Sequence, residues 1–192
     1  MVAVNSTMLP LGTTAPDFEL PDAEGRMVAL RETAAGRPVL VAFVCNHCPY
    51  VRHIGSSFGH VAKQLDRMGV TVIAINSNDI EHYPEDAPDQ MVLAARKWGW
   101  LFPYLLDEEQ SVAKAYRAAC TPDFFLFDAD LALAYRGQFD SSRPRNDLPI
   151  DGSDLLAAAR AVVAGEPAPE PQLPSIGCNI KWRDGNEPDW FG

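Results

Sequence analysis

The chain has 192 residues, with 16 Lys and Arg against 26 Asp and Glu, a formal charge of −10 and a pI near 4.7. So acidic a chain lacks the basic footprint that nucleic acid or an anionic membrane surface requires, which excludes both as partners. Its length fits one domain spanning residues 1–192, large enough to bury roughly two thirds of its unfolded surface without disulfide staples.

Residues 1–14 carry no Lys or Arg and no apolar core of signal-peptide length, so a cytoplasmic location is expected. The four cysteines are then better read as catalytic, metal-binding or core residues than as a structural framework. Pro21 to Gly25 has the composition of a hairpin turn whose second arm is Arg26 to Leu30. Val39 to Val44 is a continuous apolar run, the pattern of a strand buried on both faces and too short to cross a bilayer. Val51, Ile54, Phe58, Val61, Leu65 and Met68 then recur every three or four residues, which predicts an amphipathic helix ending at Gly69. Gly55 and Gly59, one turn apart inside it, predict close packing of the helix on the sheet. Val70 to Asn76 reads as a second buried strand, parallel to the first because a helix connects them. The acidic residues around 81–89 read as a solvated loop. Helices are expected over Gln90 to Trp98 and Glu109 to Ala118, with a short strand over Pro103 to Leu106 between them. Asp123 to Asp128 and Leu131 to Gly137 form a predicted strand pair, and Leu155 to Ala164 a predicted Ala-rich helix. Pro167, Pro169, Pro171 and Pro174 mark an extended segment, and the apolar tail beyond it is expected to dock on the body.

The chemistry concentrates in Cys45-Asn46-His47-Cys48, between the first buried strand and the long helix. A helix N-terminus presents unpaired amides and favours negative charge, so it favours the thiolate, the reactive form of cysteine. Two registers compete. If Cys45 capped the helix, Pro49 would fall at the fourth helical position, where its ring and missing N–H are costly. If Cys48 is the N-cap, Pro49 is the first helical residue, where proline is favoured. The second register fits the stripe that begins at Val51 and makes Cys48 the attacking thiol, with Cys45 as resolving partner. His47 is either an exposed turn residue or, when protonated, a stabiliser of the thiolate.

Strand, cysteine motif, helix, strand and the later Thr121-Pro122-Asp123 resemble the thioredoxin fold over roughly residues 15–165. That resemblance implies a three-layer α/β/α sandwich around a mixed β-sheet, with an N-terminal β-hairpin extension and a docked C-terminal tail over 166–192. It also implies a cis bond at Thr121-Pro122, where the residue before the proline docks an incoming peptide or thiol. Ala15-Pro16-Asp17-Phe18-Glu19-Leu20, Val44 to Val51, Cys120 to Phe125 and Pro174 to Trp182 are similar to the alkyl hydroperoxide reductase/thiol-specific antioxidant (AhpC/TSA) group, in its peroxiredoxin-like branch. Peroxiredoxins place a proline seven residues, and a Thr or Ser three residues, before the peroxidatic cysteine; here those positions hold Val41 and Cys45. The donors that would polarise a peroxide O–O bond are thus missing from the expected places.

Cys120, two residues before Pro122, is read as a buried thiol at a strand start or an accessory redox thiol. For Cys178, the burial habit of cysteine favours a docked-tail residue packed with Trp182. Some peroxiredoxins keep a resolving cysteine in their tail, which leaves an accessory role for it. Cys45, His47, Cys48 and His53 have metal-binding side chains, but three of them are crowded into four residues without recognised zinc spacing, so no metal and no cofactor is expected. His53 and His60 are expected to be half-exposed helix residues. The resulting expectation is a thiol-disulfide oxidoreductase acting by mixed-disulfide exchange on a disulfide-containing protein or small-molecule thiol, restored by an external dithiol reductant. The alternatives are a peroxiredoxin-like thiol peroxidase and a non-catalytic redox-sensing or metal-holding module. The sequence leaves the oligomeric state open.

Overall fold

The computed structural model describes residues 3–191. Its first half runs β1 (Ala3–Asn5), β2 (Glu19–Pro21), β3 (Met27–Ala29), α1 (Leu30–Ala34), β4 (Val39–Phe43), α2 (Pro49–Arg67) and β5 (Thr71–Asn76). After a single 3-10 turn at Pro84–Asp86 come α3 (Pro88–Trp98), β6 (Tyr104–Leu106), α4 (Ser111–Ala115), β7 (Cys120–Thr121), β8 (Asp123–Phe127), β9 (Leu133–Gly137), α5 (Ser153–Val163) and β10 (Ile176–Asn179).

The central sheet has the order β6-β5-β4-β8-β9. Strands β4, β5 and β6 are parallel, whereas β8 runs antiparallel to β4 and to β9, so the sheet is mixed. Side chains alternate across a strand, and both faces are apolar here. Leu40, Ala42, Val72, Ala74, Phe124 and Leu126 face a core built with α2, α3 and α5. Val39, Val41, Phe43, Ile73, Ile75, Phe125 and Phe127 face a second core with Leu30 and Ala34 of α1, Val112 and Ala113 of α4, and Tyr116. That is the expected α/β/α sandwich. The β2–β3 hairpin adjoins edge strand β6 through an Asp22–Leu105 bridge. Among the described residues no helix is long and apolar enough to cross a membrane.

Two local expectations are corrected. Gly55 and Gly59 do allow a close approach, but to α3 and its exit rather than to the sheet: a Cβ on Gly55 would lie 2.6 Å from the Trp98 ring, and one on Gly59 2.4 Å from the Trp98 carbonyl oxygen. The helix expected over Glu109 to Ala118 is only Ser111–Ala115, because Gln110 and Arg117 take left-handed φ of 59° and 51° and bracket it.

The tail docks as expected, and it does so as a strand. β10 lies between β1 and β7 in a separate three-stranded sheet, antiparallel to both. Ser175 Oγ donates to the Gly137 carbonyl at 2.7 Å on one side of β10. On the other side the Lys181 amide donates to Asn78 Oδ1 at 2.9 Å, and the Lys181 carbonyl accepts from Gln110 Nε2 at 2.8 Å.

Candidate active site

β4 ends at Phe43, and Cys45 follows at the carboxyl edge of the sheet, where open α/β sheets place their ligands. Cys48 has the extended backbone of an N-cap, φ −63° and ψ 125°, with Pro49 at the start of α2. The register inferred from Pro49 is the one the backbone adopts. The Arg52 amide closes the first turn onto the Cys48 carbonyl at 2.9 Å.

Thr121 joins the two thiols of the motif. Cys48 Sγ donates to the Thr121 carbonyl at 3.1 Å, and Cys45 Sγ meets Thr121 Oγ1 at 3.3 Å. The Thr121-Pro122 bond is cis. The tail brings a third thiol to the same point. Cys178 is the register partner of Thr121 in the β10–β7 pair, and its thiol lies within hydrogen-bonding reach of the Cys48 sulfur. The expected packing of Cys178 against Trp182 is therefore corrected: Cys178 sits with Cys45 and Cys48 under α2, and Trp182 lies in the opposite core. None of the four cysteines is in a disulfide, and all are buried, Cys48 at 0% exposure.

The electrostatics rank these thiols. The Cys178 and Cys45 thiols hold the Cys48 pKa well below the ordinary thiol value, against the opposing effect of burial, and the amides of Val51 and Cys178 add to the lowering. The sulfur makes no full capping bond to the first turn of α2, and the Thr121 carbonyl favours its protonated form. Two thiols and two amides outweigh that one acceptor. Burial, then the Cys48 thiol, push Cys45 up; the Cys48 thiol, then burial, push Cys178 up. Burial also raises Cys120, whose S–H points at the Pro122 carbonyl at 3.5 Å. Cys48 is thus the first of the cluster to ionise.

The loop Asn46-His47 is pinned by Asp86, which its acidic neighbours would put in a solvated loop. Asp86, on the 3-10 turn, is fully buried. Its carboxylate accepts from the Asn46 amide at 2.7 Å, the His47 amide at 3.3 Å and Asn78 Nδ2 at 2.8 Å, and Oδ2 lies 2.6 Å from His47 Nδ1. The His47 ring stacks on Tyr83, with centroids 5.4 Å apart. Tyr104 adds a hydroxyl bond of 3.0 Å to Asn46 Oδ1. The solvated loop is thereby corrected at Asp86. A weak signal lies in Asn76, which ends a buried strand at the cysteine edge, and in Asn78 just beyond it.

Cys45, His47 and Asp86 each bring a donor atom to within 4.8 Å of the other two. With four contacts the Asp86 carboxylate is already committed to a hydrogen-bonded latch on Asn46, His47 and Asn78, while Cys45 turns its sulfur to Thr121. His53, the other ligand weighed from sequence, is directed elsewhere, with Nε2 3.2 Å from Ser142 Oγ. His60 is exposed.

This arrangement has close relatives of known structure. A conserved protein from Geobacillus kaustophilus is 49% identical, with a TM-score of 0.92 over 95% of this chain and 97% of its own. The thioredoxin domain of a thiol-disulfide oxidoreductase from Bacteroides vulgatus shares the fold at 18% identity, with a TM-score of 0.59 over 77% of this chain and 96% of its own. Thiol-disulfide oxidoreductase ResA from Geobacillus thermodenitrificans is 28% identical over 122 residues, which cover 64% of this chain and 66% of that relative, just under two thirds of its length. The AhpC/TSA pattern matches residues 11–136, from ahead of the β2–β3 hairpin through the cysteine motif and the cis-proline into β9. That span holds most of the sandwich and three of the four cysteines, and it makes the chain a member of the AhpC/TSA family.

Proposed function

We propose that the protein is a thiol-disulfide oxidoreductase. The observation that carries this reading is the pair of thiols, Cys45 and Cys48, meeting at Thr121 at the start of α2, with Cys48 alone favoured as thiolate. The similarity to ResA supports it.

In the reaction, the Cys48 thiolate attacks one sulfur of a substrate disulfide R–S–S–R′. A Cys48–S–S–R bond forms and R′S⁻ leaves. Cys45 then attacks the Cys48 sulfur, its proton passing to the departing RS⁻, and a Cys45–Cys48 disulfide remains. The net change is one disulfide reduced to two thiols and one thiol pair oxidised. An external dithiol reverses the oxidation of the pair. The Asp86 latch keeps Asn46-His47 fixed, so both sulfurs stay in register with Thr121 through the cycle.

The peroxidase alternative needs donors on the O–O bond. The side chain three residues before Cys48 is a thiol and the one seven before it is Val41, buried in the sheet. The test compares substrates with one dithiol donor: oxidised glutathione or insulin disulfides against hydrogen peroxide. Saturable turnover of the disulfide, with peroxide consumed no faster than by free thiols, is expected. Fast, saturable peroxide consumption with no disulfide turnover would replace this reading by the peroxidase one.

A further inference from the structure

β7 is two residues long and, among the described residues, pairs with β10 alone. Without β10, the backbone of Cys120–Thr121 would be an open strand edge directly beside the Cys48 sulfur. An extended chain that delivers a sulfur to Cys48 would gain backbone hydrogen bonds by pairing along that edge, as added strands do on exposed sheet edges. β10 already does this. Its Cys178 stands opposite Thr121, and its thiol reaches Cys48. The fit depends on the residue before it: a Cβ on Gly177 would lie 2.0 Å from the Thr121 carbonyl oxygen and 3.1 Å from the Pro122 nitrogen. Only glycine lets the tail backbone settle this closely on the Thr121-Pro122 bond. The moorings at Ser175 and Lys181 fix where the strand lands.

Building on the disulfide-exchange reading, we propose that β10 is a tethered mimic of the substrate strand and that Cys178 is a third redox thiol, resolving the Cys48 mixed disulfide in cis. With β10 docked, Cys48 is sealed from solvent. β10 lifts to admit the substrate disulfide, Cys48 forms Cys48–S–S–R, and R′S⁻ leaves. β10 then returns to its edge and carries Cys178 to the Cys48 sulfur. Cys178 attacks that sulfur, the Cys48–S–R bond breaks, and RS⁻ departs with the proton of Cys178. The product is a Cys48–Cys178 disulfide that closes the tail over the site. Attack by Cys45 on Cys48, or by the external dithiol, releases Cys178 again.

The test uses the full chain with oxidised glutathione as the disulfide, acid quenching, and mass-spectrometric mapping of non-reduced peptides. Cys45→Ser protein is expected to yield a Cys48–Cys178 link and little lasting glutathione on Cys48. In Cys45→Ser/Cys178→Ser the Cys48–glutathione adduct is expected to persist about tenfold longer or more, because both resolving thiols are gone. Cys45→Ala, checked by circular dichroism, repeats the comparison if serine beside Thr121 impairs folding. If the Cys45→Ser adduct persists as long as that of the double variant, with no Cys48–Cys178 link, the inference is overturned, while the adduct itself upholds exchange at Cys48. If no variant takes up glutathione or forms any link, the exchange reading fails and the inference falls with it.

Discussion

Cys178 stands directly across an antiparallel pair from Thr121, the residue whose carbonyl oxygen lies 3.1 Å from the Cys48 sulfur. Cys48 and Cys178, 130 residues apart in sequence, thus meet beside the same residue. The resting site is closed, with its nucleophile held between the start of α2, the cis-proline segment and the tail.

If β10 is the cover, loosening it should expose Cys48. Gly177→Val places side-chain carbon where the Thr121 carbonyl sits, so the strand cannot settle on its edge. Alkylation of Cys48 by iodoacetamide, followed peptide by peptide, is expected to speed up several-fold while the five-stranded sheet stays folded. An unchanged rate in a folded variant would mean that something other than β10 seals the thiol.

The electrostatics give a pH dependence with a definite sign. A thiol whose pKa is lowered in the folded protein remains a thiolate as pH falls through the ordinary range near 8.5. Ultraviolet thiolate absorbance should therefore persist below that range, disappear only in acid, and be missing in Cys48→Ser. Cys45 and Cys178, both raised, should add thiolate signal only on the alkaline side. Thiolate absorbance at neutral pH that survives in Cys48→Ser would assign the reactive sulfur elsewhere.

Asp86 offers a stability test. Asp86→Ala strips a buried carboxylate from the Asn46 and His47 amides, the His47 ring and Asn78. Donors left unpaired in a buried site are costly, so a loss of about 3 kcal/mol or more is expected from the urea midpoint. Disulfide turnover should fall as well, since the loop between the two cysteines loses its anchor. A variant as stable as the parent would show that the latch contributes nothing net.

Much of this architecture is legible locally. The strands β4, β5 and β8 are runs of apolar residues with no competing pattern, and Pro49 with the stripe from Val51 sets the register of α2 and so singles out Cys48. What stayed hidden depends on partners distant in sequence. Gly55 and Gly59 signal a close approach, but periodicity says only that a face is covered, and the covering atoms belong to Trp98 and Trp100, about forty residues on. Asp86 sits among charged residues and prolines that read as solvated; its burial follows from the donors of Asn46, His47 and Asn78, which local composition does not reveal. Cys178 reads as a docked-tail residue or an accessory thiol, and only the pairing of β10 with β7 puts it beside Cys48.

Whether Cys48 is the nucleophile is decided by the steady-state reduction of oxidised glutathione or insulin disulfides, with a dithiol donor, by wild-type protein and by Cys48→Ser. Cys48→Ser is expected to fall to the uncatalysed rate while its circular dichroism spectrum is unchanged, because no other sulfur of the cluster is held as a thiolate. Turnover retained in folded Cys48→Ser would contradict the assignment of Cys48 as the nucleophile.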